Sequence, residues 1–130
     1  MAHPAHVKAS AVAMLPHYLY ELRKGVRQLF LLTMTLPEAQ AVQERLQRER
    51  VAIHVQDVSA KKLNLYFGQA RYVEIARRLA VRPLNRLSPE EDFMLGILLG
   101  YDSGQQCQRY LEKIRSGPQT HAGAALALRP

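Results

Sequence analysis

The chain has 130 residues, 48% of them hydrophobic, enough for one domain with a modest core. Its single cysteine, Cys107, excludes an internal disulfide framework and a multi-cysteine zinc site. With 18 Lys and Arg against 11 Asp and Glu the formal charge is +7, which favours an acidic partner, protein or nucleic acid, and also serves solubility.

Residues 1–15 lack periodicity and read as a flexible N-terminal arm. Pro4 and two histidines precede their weak apolar stretch, which does not fit a secretory signal, so a cytoplasmic location is expected. Residues 116–130, rich in Gly, Ala and Pro, read as a flexible tail. A single domain is therefore expected over residues 16–115.

"HYLYELR" alternates, with Tyr18, Tyr20 and Leu22 on one face, and reads as a strand. "RQLFLLTMT" reads as a second strand with Phe30, Leu32 and Met34 on one face. Thr35, Pro37 and Glu38 then form a capping box before a helix whose apolar stripe is Ala39, Val42 and Leu46. The plan recurs 33 residues on. Val51, Ile53 and Val55 share a face, as do Leu63, Leu65 and Phe67, and Tyr72, Ile75 and Leu79 make the next helical stripe. The pattern predicts an α+β fold: two strand-strand-helix units building one four-stranded, mostly antiparallel sheet with two helices on one face.

"SPEEDFMLGILLGYDSGQQCQRYL" opens with a second capping box, Ser88 with Glu91, and Pro89 in the first turn. Glu90, Glu91 and Asp92 lie where the helix dipole favours negative charge, which accounts for them without a metal. The apolar run Phe93 to Leu99 predicts a helix buried on several sides. That helix is roughly 18 Å long at 1.5 Å per residue, and a bilayer core needs about 30 Å. Tyr101 to Gly104 reads as a turn, capped by Asp102 or Ser103. In the helix that follows, Cys107, Tyr110, Leu111 and Ile114 form the apolar stripe, which predicts a buried, inert thiol. This C-terminal helical hairpin is a candidate cover for the second sheet face, around Leu29 and Leu31; a homodimer is the alternative.

No phosphate loop, HExxH or GxSxG motif is present. His3, His6 and His121 fall in the arm and tail, and His17 and His54 fall on expected strands. No nucleophile has an evident base. No catalytic, cofactor-binding or metal-binding residue is assigned, and a binding protein is expected rather than an enzyme. Residues 69–87 carry Arg71, Arg77, Arg78, Arg82 and Arg86 against one acid, Glu74. A helical ion pair accounts for Arg71, Glu74 and Arg78. The partner-binding candidates are Arg77, Arg78, Arg82 and Arg86. Nucleic acid is one target, although aromatic residues are sparse there and no nucleic-acid-binding motif appears.

"YELRKGVR" (20–27), "NLYFG" (64–68), "PEEDFMLGILLGYD" (89–102) and "QCQRYL" (106–111) together resemble a small bacterial family classed as a domain of unknown function. The resemblance covers about residues 17–114. It implies a cytoplasmic α+β domain with no catalytic residues to carry over. Genes of that family can lie beside one for flavodoxin, so the resemblance also implies an acidic, flavodoxin-like redox partner for the basic segment.

Overall fold

The computed structural model of the protein describes residues 10–116. The outer parts of the expected arm and tail, residues 1–9 and 117–130, lie outside the described residues. The fold is α+β, with five α-helices, one short 3-10 turn and a three-stranded antiparallel sheet among the described residues. Contacts group the chain into two compact units, one ending at Val73 and one starting at Glu74.

The first unit opens with α1, Ala11–Arg23. It replaces the strand expected from "HYLYELR", and so the sheet has three strands rather than four and the first unit does not repeat the second. Ser10 caps α1, its Oγ accepting from Ala13 N at 3.1 Å. Leu15 and Leu19 are fully buried, and Ala11, Tyr18 and Leu22 pack on the same core. Those five positions recur at helical spacing. Tyr20, which a strand would align with Tyr18 and Leu22, is 59% exposed. Pro16 sits inside the helix, where it removes one backbone donor and hides the continuity of the stripe on its two sides.

The sheet consists of β1 (Leu29–Thr35), β2 (Ala52–Asp57) and β3 (Lys62–Gly68), in the order β1-β3-β2. Phe30, Leu32 and Met34 stand opposite Phe67, Leu65 and Leu63, while Ile53 and Val55 stand opposite Phe67 and Leu65. Period-two alternation in the sequence assigns these residues to one face, and they form the core with α1 and with α2, Leu36–Arg48. Ala39, Val42 and Leu46 of α2 are buried, as their spacing predicts. Thr35 ends β1 and caps α2 at once: its Oγ1 accepts from Glu38 N at 3.4 Å and its N donates to Glu38 Oε1 at 3.1 Å.

The helix α3, Ala70–Leu79, spans the boundary between the units. It buries Val73, Ala76 and Leu79. Of the expected stripe Leu79 is buried, whereas Val73 and Ala76 take the places of Tyr72 and Ile75, and Ile75 is 41% exposed. After a 3-10 turn over Leu84–Arg86 come α4, Pro89–Leu98, and α5, Ser103–Ser116, packed as the expected hairpin. Ser88 and Glu91 close their capping box, with Ser88 N donating to Glu91 Oε1 at 2.9 Å and Glu91 N to Ser88 Oγ at 3.1 Å. Gly100, at φ 79°, reverses the chain after α4, and Tyr101 N donates to Gly96 O at 3.1 Å. Asp102 then caps α5, its Oδ2 accepting from Gln105 N at 2.8 Å.

Two expectations for this hairpin are corrected. The run Phe93–Leu99 is buried on one side only: Leu95 and Leu99 are inside, while Met94 and Ile97 are 46% and 39% exposed. Cys107 is exposed rather than buried, as is Leu111 one turn on, while Tyr110 and Ile114 of the same stripe are half-buried. No helix among the described residues is long and apolar enough to cross a membrane.

Candidate functional site

The four candidate arginines occupy the second unit from the last turns of α3 to the 3-10 turn. Gln69 starts α3, its Oε1 accepting from Arg71 N at 2.8 Å and Tyr72 N at 3.3 Å. With Val73, Ala76 and Leu79 turned inward, Glu74, Ile75, Arg77 and Arg78 are carried on the other side of the helix. Arg77 grips Glu74 with both ends of its guanidinium, Nε to Oε1 at 3.1 Å and Nη2 to Oε2 at 2.6 Å. Arg78 Nε donates to Glu74 Oε2 at 2.9 Å. The hydrogen bonds from Arg77 and then Arg78, with their charges, hold the Glu74 carboxyl below its usual range despite some desolvation. Both arginines sit at the helix C-terminus, where the dipole favours cations.

Beyond α3, Val81 is 76% exposed. Arg82 pairs with Glu91, the same residue that closes the α4 capping box, so the basic segment is tied to the start of α4. Arg86 lies in the 3-10 turn, exposed and without an ion pair among the described residues. The segment thus presents four guanidiniums, three of them held in place by carboxylates, with two aliphatic side chains in the open. Ile75 and Val81 carry no signal of this role in the sequence. Ile75 satisfies a helical apolar spacing as well as Ala76 does, but Ala76 is the one that is buried.

A second polar group lies on the sheet face opposite the core. Thr33 Oγ1 donates to Asn64 Oδ1 at 2.6 Å, Asn64 Nδ2 donates to Gln56 Oε1 at 3.1 Å, and Tyr66 OH donates to the same Gln56 oxygen at 2.9 Å. Burial pushes the Tyr66 phenol up to about 12, which makes it a neutral donor and not a base at physiological pH. The chain of bonds links all three strands and fits a structural tie that satisfies the buried Asn64 and Tyr66 through the half-buried Gln56 and the exposed Thr33. His17 and His54, expected on neighbouring strands, are on α1 and β2, and His17 lies 3.3 Å from Glu21. Among the described residues no three His, Cys, Asp or Glu side chains converge as a metal site would require.

Residues 13–113 match the model of a family described as a protein of unknown function (DUF2023). No curated protein matches the chain.

Proposed function

We propose that this chain, which belongs to the DUF2023 family, is a small cytoplasmic binding or accessory protein that docks an acidic protein partner through Arg77, Arg78, Arg82 and Arg86. The observation that carries the reading is the mixture on this segment: preoriented guanidiniums beside the exposed Ile75 and Val81. Arginine with apolar neighbours is the composition of protein interfaces. A nucleic-acid backbone has no use for the two aliphatic side chains. An acidic redox protein of the flavodoxin class suits the charge, through a small, salt-sensitive, transient contact.

The test is titration of the protein with the flavodoxin of the same organism and, separately, with duplex DNA, at low and physiological salt. Flavodoxin binding that weakens with salt supports the reading. Changing Arg77, Arg78, Arg82 and Arg86 to Glu should abolish it, with circular dichroism reporting an unchanged fold. Unchanged flavodoxin affinity in that variant would sink the idea, as would tight DNA binding with no flavodoxin binding. An enzyme acting through residues not recognised above would show instead as turnover insensitive to the four substitutions.

A further inference from the structure

The helices α4 and α5 leave between them an open groove of about 480 Å³, with an almost wholly apolar lining that includes Phe93, Met94, Cys107 and Leu111. On α4, Glu90, Met94 and Ile97 follow one another at spacings of four and three residues. On α5, Cys107, Leu111 and Ile114 do the same. This is the spacing at which one helix offers a seam to another. No residue of α5 is fully buried, although the helix is amphipathic. Such helices draw most of their stability from packing an apolar face, and Cys107 and Leu111 on this face are left exposed among the described residues.

We infer that a second copy of this chain fills the groove, hairpin on hairpin, with α4 of each copy lying against α5 of the other in a four-helix bundle. Two parallel seams call for a pair of helices, which one further hairpin supplies and a compact small molecule does not. Charge sets the pairing. The charged residues of α4 are all acids, Glu90, Glu91 and Asp92, while α5 carries Arg109, Lys113 and Arg115 against Glu112. Crossing α4 with the other copy's α5 brings opposite charges together, and α4 on α4 would set acid against acid. The same attraction already works inside one hairpin, where Arg109 Nε is 2.8 Å and Lys113 Nζ 3.4 Å from Asp92. Glu90 accepts from Tyr110 OH at 2.9 Å through one oxygen, but its other oxygen is buried without a hydrogen-bond donor among the described residues. Met94, Ile97, Cys107 and Leu111 lie outside the arginine segment in the chain, and the self-association does not depend on the docking reading above.

The experiment is sedimentation of the full chain across micromolar to millimolar concentration, with a doubling of mass expected. Met94→Lys puts a cation on α4 against basic α5; Leu111→Glu puts an acid on α5 against acidic α4. Both residues are exposed in the single copy, so each variant should keep its far-ultraviolet circular dichroism and sediment as a monomer. Mixing the two should restore the dimer, because the new lysine and the new glutamate then face each other. As an independent reading, a flexible bismaleimide long enough to cross the bundle should couple Cys107 of one wild-type copy to that of another. Wild-type protein that stays monomeric and uncoupled at millimolar concentration overturns the inference, as does a dimer that survives both substitutions. A mixture that stays monomeric overturns the α4-to-α5 pairing. Binding of an apolar dye in the groove of a strictly monomeric wild type would assign the groove to a small ligand instead.

Discussion

Phe30 and Phe67 stack face to face across the β1–β3 pairing, with ring centroids 5.0 Å apart and planes 8° from parallel. Both rings are fully buried, and the Arg27 guanidinium lies 4.3 Å from the Phe30 centroid. Tyr18 of α1 meets the same pair, at 5.4 Å from Phe30 and 6.4 Å from Phe67. This aromatic cluster joins helix to sheet in the first unit. Phe67→Ala should therefore cost about 3–5 kcal/mol through lost burial and the cavity left behind. Urea denaturation of the full chain measures it, and a loss below about 1 kcal/mol would mean that the cluster does not hold α1 on the sheet.

Gly68 is a position where only glycine fits. Its φ is +147°, and a Cβ there would lie 2.2 Å from the Gln28 carbonyl oxygen. Backbone is a poor thing to displace, so Gly68→Ala should separate the end of β3 from β1. A cost of more than about 2 kcal/mol is expected, against about 1 kcal/mol for Gly25→Ala, where φ is also positive but a Cβ would meet only the Gln28 side chain, at 3.7 Å. Equal costs for the two variants, read from denaturation midpoints, would contradict this geometry.

In α4 the two neighbours Met94 and Leu95 should behave as opposites. Leu95 is 5% exposed and Met94 is 46% exposed. Leu95→Asp buries a carboxylate with no partner, a change expected to cost on the order of 3 kcal/mol or to unfold the helix. Met94→Asp should change stability by less than about 1 kcal/mol when measured at dilution. Thermal melts that rank the pair the other way would show that α4 is rotated.

Asp92 predicts an acid limit to stability. Burial alone would raise its carboxyl, but the hydrogen bond from Arg109 and the charges of Lys113 and Arg109 outweigh burial and hold it below the usual range. The folded value is thus lower than the unfolded one. Its stabilisation is present above about pH 4 and is lost as pH falls through the folded value. Asp92→Asn should flatten this part of the acid loss, so that the urea midpoint of the parent falls more steeply than the variant's between about pH 5 and pH 2. Parallel slopes would mean that the Asp92 pairs are open in solution.

Much of this fold is legible in the residues themselves. Both capping boxes, Thr35 with Glu38 and Ser88 with Glu91, form where the sequence places them, because such a cap needs only four successive residues. The shared face of Phe30, Leu32 and Met34 with Leu63, Leu65 and Phe67 follows from a two-residue period, and Ala39, Val42 and Leu46 from a helical one. The arginine segment is equally plain as composition. Its acid partners are legible in part, since Glu74 lies within one turn of Arg77 and Arg78, whereas Glu91 is nine residues from Arg82.

Caps, periods, turns and the placement of charge along the chain are local and can be read from neighbouring residues. Tertiary packing settled the rest. It made Ala11–Arg23 a helix, because Leu15 and Leu19 find the sheet core while Tyr20 does not. It turned Ala76 inward and Ile75 outward, although either fits a helical stripe, and it left Cys107 exposed on the open side of a hairpin. The physical reason is common to all three. A periodic pattern states which residues share a face, but which face is covered depends on what packs against it, and that is contributed by residues far away in the chain.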